Sequence, residues 1–238
     1  MSVITLKIDK IDVAIEEGAT VLDAAKEVGV RIPTLCHLEG VSDIGACRLC
    51  VVEVSGINKL LPACVTEVAE GMDVRTDTEK LQEYRRMNVE MLFAEGNHVC
   101  AVCVANERCE LQNAAIEVGM DHSRFPYRFP ERELDASHPQ FGIDRNRCIL
   151  CTRCVRVCDE LEGAHVWDLA SRGETAKIIS GLNQPWGEVD ACTSCGKCVD
   201  ACPTGSLFRK GSTVAELERD RAKLEFLVTA REQHQWTR

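Results

Sequence analysis

The chain opens in alternation. Ile4, Leu6 and Ile8 stand between polar neighbours, as residues do along a strand with one face in a core. The alternation resumes at Ile11, Val13 and Ile15 after Asp9-Lys10, which predicts a hairpin. Then the period changes. Thr20 and Asp23 have the spacing of a capping box, and Val21, Leu22, Ala25 and Val28 form a helical stripe that Gly29 ends. Apolar runs predict further strands at 51–54, 59–63 and 73–76. A second helix is expected over 78–96, with Thr78 as N-cap and Gly96 as its stop. Leu81, Tyr84, Asn88, Met91 and Leu92 lie near one face of it, and it reads as a packing helix.

Beyond residue 96 the periodicity thins. A short helix is expected at 111–118. The next segment carries Pro126, Pro130 and Pro139 with Phe125, Tyr127 and Phe129 among them, and reads as an ordered irregular stretch laid over a module boundary. A hairpin is expected between Val166-Trp167 and 177–179. Val214, Leu217, Leu224, Leu227 and Val228 predict a C-terminal helix over 213–230, with a face for this chain or for a partner.

Aromatic residues are only 5% of the chain, so packing falls to aliphatic side chains and to whatever the cysteines bind. A net charge of -10 disfavours nucleic acid, which needs a basic footprint. No apolar run approaches the ~20 residues of a membrane span, and the N-terminus lacks the apolar core of a secretory signal. A cytoplasmic location is expected, where thiols stay reduced.

There are 15 cysteines, an odd number, which argues against a disulfide scaffold. Their spacing carries the chemistry. Cys148-x2-Cys151-x2-Cys154-x3-Cys158 recurs as Cys192-x2-Cys195-x2-Cys198-x3-Cys202, followed by Pro203. Earlier come Cys36-x10-Cys47-x2-Cys50-x13-Cys64 and His98-x-Cys100-x2-Cys103-x5-Cys109. Zinc sites pair C-x2-C units across a spacer, whereas three cysteines at i, i+3 and i+6 with a fourth at i+10 suit an iron–sulfur cubane. One cysteine alone would read as a small buried hydrophobe; a spaced set does not. Cys100, Cys103 and Cys109 need a fourth donor, and His98 offers an imidazole, which binds iron.

With His98, the cysteines make sixteen donors in four groups of four, leaving no cysteine for a catalytic thiol. There is no dinucleotide fingerprint, no phosphate loop and nothing that suggests a flavin site. His37, His122, His138, His165 and His234 read as surface or packed residues. His37, beside Cys36, is also a candidate to tune a cluster by hydrogen bonding.

Several resemblances rest on these residues. The paired runs with Pro203 resemble two-cluster bacterial ferredoxins. That implies interleaving: Cys148, Cys151 and Cys154 with Cys202 on one cluster, and Cys192, Cys195 and Cys198 with Cys158 on the other. The strand–strand–helix order before Cys36, Cys47, Cys50 and Cys64 resembles the β-grasp of plant-type 2Fe–2S ferredoxins. The spacing departs from the plant pattern and is similar to the longer-loop form at the N-terminus of the large iron–sulfur subunit of respiratory complex I. The His98 group resembles the 4Fe–4S module with one histidine and three cysteine ligands in complex I and FeFe-hydrogenases. There the histidine lies four residues before the first cysteine; here that position is Gly96, and His98 is two before Cys100.

Residues 1–210 as a whole resemble that iron–sulfur segment. Glu95-Gly96-Asn97-His98-Val99-Cys100 and the run from Arg145 to Cys154 resemble the small diaphorase subunit of the soluble NAD-reducing, or bidirectional, NiFe-hydrogenases. The resemblance implies an α+β fold: a 2Fe–2S domain at 1–77, a helical 4Fe–4S module at 78–118 and a two-cluster domain at 138–210, to which the apolar pattern adds a C-terminal helix at 211–238. It implies one 2Fe–2S and three 4Fe–4S clusters, about fourteen irons in all. The implied partners are an FMN-bearing NAD(P)H-oxidising subunit and the small and large NiFe-hydrogenase subunits. Such a chain is an oxidoreductase subunit without a substrate site of its own. An iron–sulfur subunit of an NAD-linked formate dehydrogenase, a complex I-like accessory subunit and a free-standing ferredoxin or redox sensor stay open as alternatives.

Overall fold

The computed structural model describes residues 2–211. The helix expected at 213–230 and His234 lie outside the described residues. The chain forms two compact units. One comprises the residues up to His37, Asp43–Met91 and Ala114–Arg124; the other comprises Leu38–Ser42, Leu92–Asn113 and the residues from Phe125 onward.

In the first unit, β1 (Val3–Ile8) and β2 (Ile11–Glu16) pair antiparallel, from Val3 opposite Glu16 to Ile8 opposite Ile11. The turn residues Asp9 and Lys10 are both left-handed, at φ 47° and 73°, as a two-residue hairpin turn requires. Neither is glycine. The Asp9 carboxylate offsets the strain by accepting the Thr76 backbone N–H at 2.8 Å and the Thr76 hydroxyl. The capping box starts α1 (Val21–Glu27): Asp23 N donates to Thr20 Oγ1 at 3.2 Å, and Thr20 N donates to the Asp23 carboxylate at 3.0 Å. Gly29, at φ 72°, turns the chain out of the helix.

β3 (Val51–Val54), β4 (Leu61–Pro62) and β5 (Asp73–Arg75) complete a five-stranded sheet in the order β2-β1-β5-β3-β4. β1 and β5 run parallel, and the other pairs are antiparallel. Leu6, Ile8, Val13, Val52 and Val74 pack with Val21 and Leu22 of α1 in one core. Burying each large aliphatic side chain is worth about 1.5–3 kcal/mol.

α2 (Glu79–Glu95) begins as expected, with Thr78 Oγ1 accepting the Leu81 N–H at 3.3 Å. Its buried stripe is rotated from the expected one: Leu81, Arg85 and Val89 are buried, while Met91 is 40% exposed. The cause is Arg85. Its guanidinium donates to the carbonyls of Leu49 (3.0 Å), Val51 (2.9 Å) and Thr76 (2.8 Å). Those carbonyls need donors more than the helix needs an apolar face there. Glu90, next to Val89, is fully buried and is held by Arg124 and Arg86. The 111–118 expectation is met by α3 (Glu110–Glu117).

In the second unit come β6 (Leu134–Asp135), β7 (Phe141–Asp144), β8 (Trp167–Ala170), β9 (Lys177–Ser180) and β10 (Leu207–Arg209). β8 and β9 form the expected hairpin, while β10, β7 and β6 make a three-stranded antiparallel sheet. The two long cysteine runs share one backbone path. Leu150 and Thr152 are left-handed two and four residues after Cys148, and Ser194 and Gly196 are left-handed two and four after Cys192. A short helix follows each at the same offset, α4 (Arg153–Arg156) and α5 (Lys197–Ala201). α4 widens into a π-helical stretch, Val157–Glu162, that Gly163 ends at φ 72°. Arg153, 2% exposed, forks onto the Glu110 carboxylate at 3.0 and 2.8 Å, and Glu110 N donates to Pro203 O at 2.9 Å.

Candidate metal centres

In the first unit, the loop between α1 and β3 carries Cys36, Cys47 and Cys50, and a 3-10 turn after β4 carries Cys64. The four come together. Cys50 and Cys64 Sγ are 3.5 Å apart, and Cys47 N donates to Cys36 Sγ at 3.5 Å. Gly45 (φ 60°) and Arg48 (φ 55°) bend the loop around them. Hydrogen bonds from neighbouring thiols, Cys47 first for Cys36 and Cys64 for Cys50, hold these two below the ordinary thiol range. Their partners Cys47 and Cys64 are pushed up in return. Thiols this crowded are poised to exchange protons for metal. His37 Nδ1 meets the Asp43 carboxylate at 2.9 Å, and its Nε2 lies 3.4 Å from Lys26 Nζ.

In the second unit, three small, partly open cavities are lined by cysteines. His98, Cys100, Cys103 and Cys109 line the first, with Phe93 and Arg147. His98 Nε2 is buried and has no hydrogen-bond partner among the described residues. Burial, with Arg147 and Arg132 adding to it, holds this imidazole down to about 4 against a hydrogen bond to the Leu92 carbonyl. It is therefore neutral near pH 7, with a free lone pair. The altered spacing has a steric counterpart. A Cβ at Gly96 would lie 2.4 Å from His98 Nε2, so the His98 ring fills the space a side chain at 96 would take. Gly205 gives similar clearance, since a Cβ there would sit 2.4 Å from Cys103 Sγ.

The other two cavities divide the long runs. One is lined by Cys148, Cys151, Cys154 and Cys202, the other by Cys192, Cys195, Cys198 and Cys158. Each run thus contributes its last cysteine to the other's cavity. The helices do this: α4 and its π-helical extension carry Cys158 away from Cys154, and α5 does the same for Cys202. Thr204 lines both the His98 cavity and the Cys148 cavity, which makes them neighbours. Burial pushes Cys148 and Cys158 up to about 11 and Cys151 to about 12. A metal bound by these thiols would have to displace their protons. Cys195, by contrast, is exposed.

No three His, Cys, Asp or Glu groups among the described residues converge as they would on one ion. In the three cavities His98 and the cysteine side chains instead line a shared space. Periodicity and spacing missed two residues at the Cys192 sulfur. Trp186 Nε1 donates to it at 3.3 Å, and His138, read as an ordinary histidine, places Nε2 3.8 Å from it. No local signal marks either; the contact exists only once 138, 186 and 192 are folded together.

Residues 2–79 match the 2Fe-2S iron-sulfur cluster binding domain, residues 85–124 the NADH-ubiquinone oxidoreductase-G iron-sulfur binding region, and residues 139–208 the ferredoxin-like domain of NADH-quinone oxidoreductase subunit 3. The NAD-reducing hydrogenase HoxS subunit gamma of Cupriavidus necator is 38% identical over 208 residues, which is 87% of this chain and 87% of that one. The chain belongs to this hydrogenase gamma-subunit family. It is an iron–sulfur electron-transfer protein with a 2Fe–2S domain and 4Fe–4S regions. A chain in a crystal structure of NAD+-reducing NiFe-hydrogenase in the H2-reduced state superimposes with a TM-score of 0.82 at 36% identity, covering 88% of each chain. The alpha subunit of the NADPH-Fe(3+) oxidoreductase of Geobacter sulfurreducens is 39% identical over 87% of this chain, but the chain spans only 24% of that relative. The gamma-subunit family thus shares its iron–sulfur architecture with much longer proteins. Among the described residues no helix is long and apolar enough to cross a membrane.

Proposed function

We propose that this chain relays single electrons between an FMN-bearing NAD(P)H-oxidising subunit and the small and large subunits of a NiFe-hydrogenase, in the cytoplasm. Iron–sulfur clusters, when bound, supply one-electron transfer, and the protein supplies ligands, spacing and local field. On this reading Cys36, Cys47, Cys50 and Cys64 hold a 2Fe–2S cluster in a β-grasp domain, which the mixed sheet with α1 supports. His98, Cys100, Cys103 and Cys109 hold a 4Fe–4S cluster, and the interleaved sets hold two more. The module limits follow as 1–77, 78–118 and 138–210.

The observation that carries the reading is the sorting of donors. All 15 cysteines and His98 fall into four sets of four, with Cys158 and Cys202 exchanged between the long runs. The choice of hydrogenase rests on the gamma-subunit relative, which matches this chain along nearly its whole length. The Geobacter relative supports a second reading, the same wire serving another NAD(P)H oxidoreductase.

The two ends of the proposal are tested by adding partners. The isolated chain, loaded with clusters, is expected to be reduced by dithionite and to pass electrons to a dye, yet neither to oxidise NADH nor to evolve hydrogen. Adding the flavin subunit should make NADH a reductant. NADH turnover by the flavin-free isolated chain would contradict the proposal. Purification with subunits of some other oxidoreductase would favour the second reading.

A further inference from the structure

One N–H group donates to the Cys192 sulfur from outside its own loop, a second lies 3.8 Å from it, and the fold fixes both. Trp186 Nε1 donates to Cys192 Sγ at 3.3 Å. The indole is anchored by its own backbone: Trp186 N donates to the Asp135 carboxylate at 2.7 Å, and Gly187 N to Ser137 Oγ at 2.8 Å. A Cβ at Gly187 would lie 2.5 Å from Ser137 O, so only glycine lets this segment lie so close. His138 is 4% exposed and packs against both Phe141 (4.9 Å) and Trp186 (4.7 Å). Its Nδ1 accepts the backbone N–H groups of Gln140 (3.1 Å) and Phe141 (3.2 Å). A nitrogen that accepts carries no proton, so the neutral ring bears its proton on Nε2. That N–H faces Ser194 Oγ at 3.1 Å and Cys192 Sγ at 3.8 Å.

The companion cavity is built differently. Cys148, at the equivalent place in its run, meets the Leu150 backbone N–H at 3.5 Å. The nearby Ser206 hydroxyl gives its proton to the Asp144 carbonyl at 2.9 Å. Cys202 Sγ lies 3.2 Å from the Thr204 carbonyl, whose negative end opposes added charge once the sulfur is a thiolate. Exposure differs too, since Cys195 is open to water while Cys151, Cys154 and Cys202 are buried. N–H donors and hydration both stabilise a cluster's more negative, reduced state.

We propose that Trp186 and His138 are positioning residues whose N–H groups make the Cys158–Cys192–Cys195–Cys198 cluster the more easily reduced member of the interleaved pair. The proposal rests on the reading that these four cysteines hold a cluster. Electrons entering the pair would then reside on this side first, beneath the exposed Cys195.

The test is an anaerobic redox titration of the full cluster-loaded chain, followed by electron paramagnetic resonance. The signal is assigned by its loss in Cys195→Ala. Trp186→Phe removes the indole N–H and keeps an aromatic ring. A second protein, carrying the benzothiophene isostere of the Trp186 side chain, removes only the N–H. Both should keep the iron content of the parent. Both should shift the oxidised-to-reduced ratio of this cluster about tenfold toward oxidised, ~59 mV lower for one electron, and leave the companion cluster in place. His138→Asn, whose amide oxygen can retain the backbone bonds, should shift it the same way by less. An unchanged potential in the isostere, an equal shift of both clusters, or loss of iron from the isostere would overturn the proposal. A parent protein lacking this cluster would instead overturn the ligand reading beneath it.

Discussion

An imidazole nitrogen buried without a partner costs about 1–3 kcal/mol, so a fold that keeps one needs a use for it. Among the described residues His98 Nε2 is such an atom, facing a cavity with three thiols. Imidazole in place of thiolate leaves a bound cluster one unit less negative. His98→Cys is therefore expected to retain the cluster and lower its potential, and His98→Ala to leave it labile or in a three-iron form. Nitrogen hyperfine coupling should vanish in both. A parent spectrum without such coupling, unchanged in His98→Ala, would remove His98 from the ligand set. Spacing made His98 legible as a donor, although its offset differs from the family pattern. The compensating Gly96 was legible only as a helix stop. Arg85 and Trp186 were not legible at all, because their partners lie far away along the chain and no periodicity encodes a guanidinium turned toward carbonyls.

At the scale of elements, alternation exposed β1, β2 and α1 because one face of each is wet. It did not expose β7, where Phe141, Gly142, Ile143 and Asp144 are all buried, nor the two- and three-residue strands beside it. The hand-over of Cys158 is an element property, produced by the π-helical continuation of α4. Cys158→Ala should therefore damage the cluster of Cys192, Cys195 and Cys198. Loss of only the Cys148, Cys151 and Cys154 signal would show that the interleaving is wrong. α2 carries a second test. Burial pushes the Glu90 carboxyl up, yet the bonds from Arg124 and Arg86 outweigh it and hold its pKa below the ordinary value. A depressed carboxylate stabilises the fold above its unfolded pKa of about 4.3, and that contribution is lost as pH falls through the folded value. Glu90→Gln should melt lower than the parent near pH 7, and the difference should shrink below about pH 4. A constant difference across that range would mean the charge is not what matters.

At the scale of the whole molecule, the chain reads as ligands on a scaffold. Every cysteine lies in one of the four proposed four-donor sets, and the sequence holds no nucleotide fingerprint. The sets were countable from spacing alone. The division of the residues around 78–124 between two compact units was not, because α2 and α3 each cross from one unit to the other. The central claim is that sixteen donors hold four clusters. It is tested most directly by counting iron and acid-labile sulfide per chain after anaerobic reconstitution. About 14 irons, with sulfide roughly matching the 4Fe–4S and 2Fe–2S stoichiometry, is the predicted result. Saturation near eight or ten irons, with every cysteine intact and reduced, would contradict it.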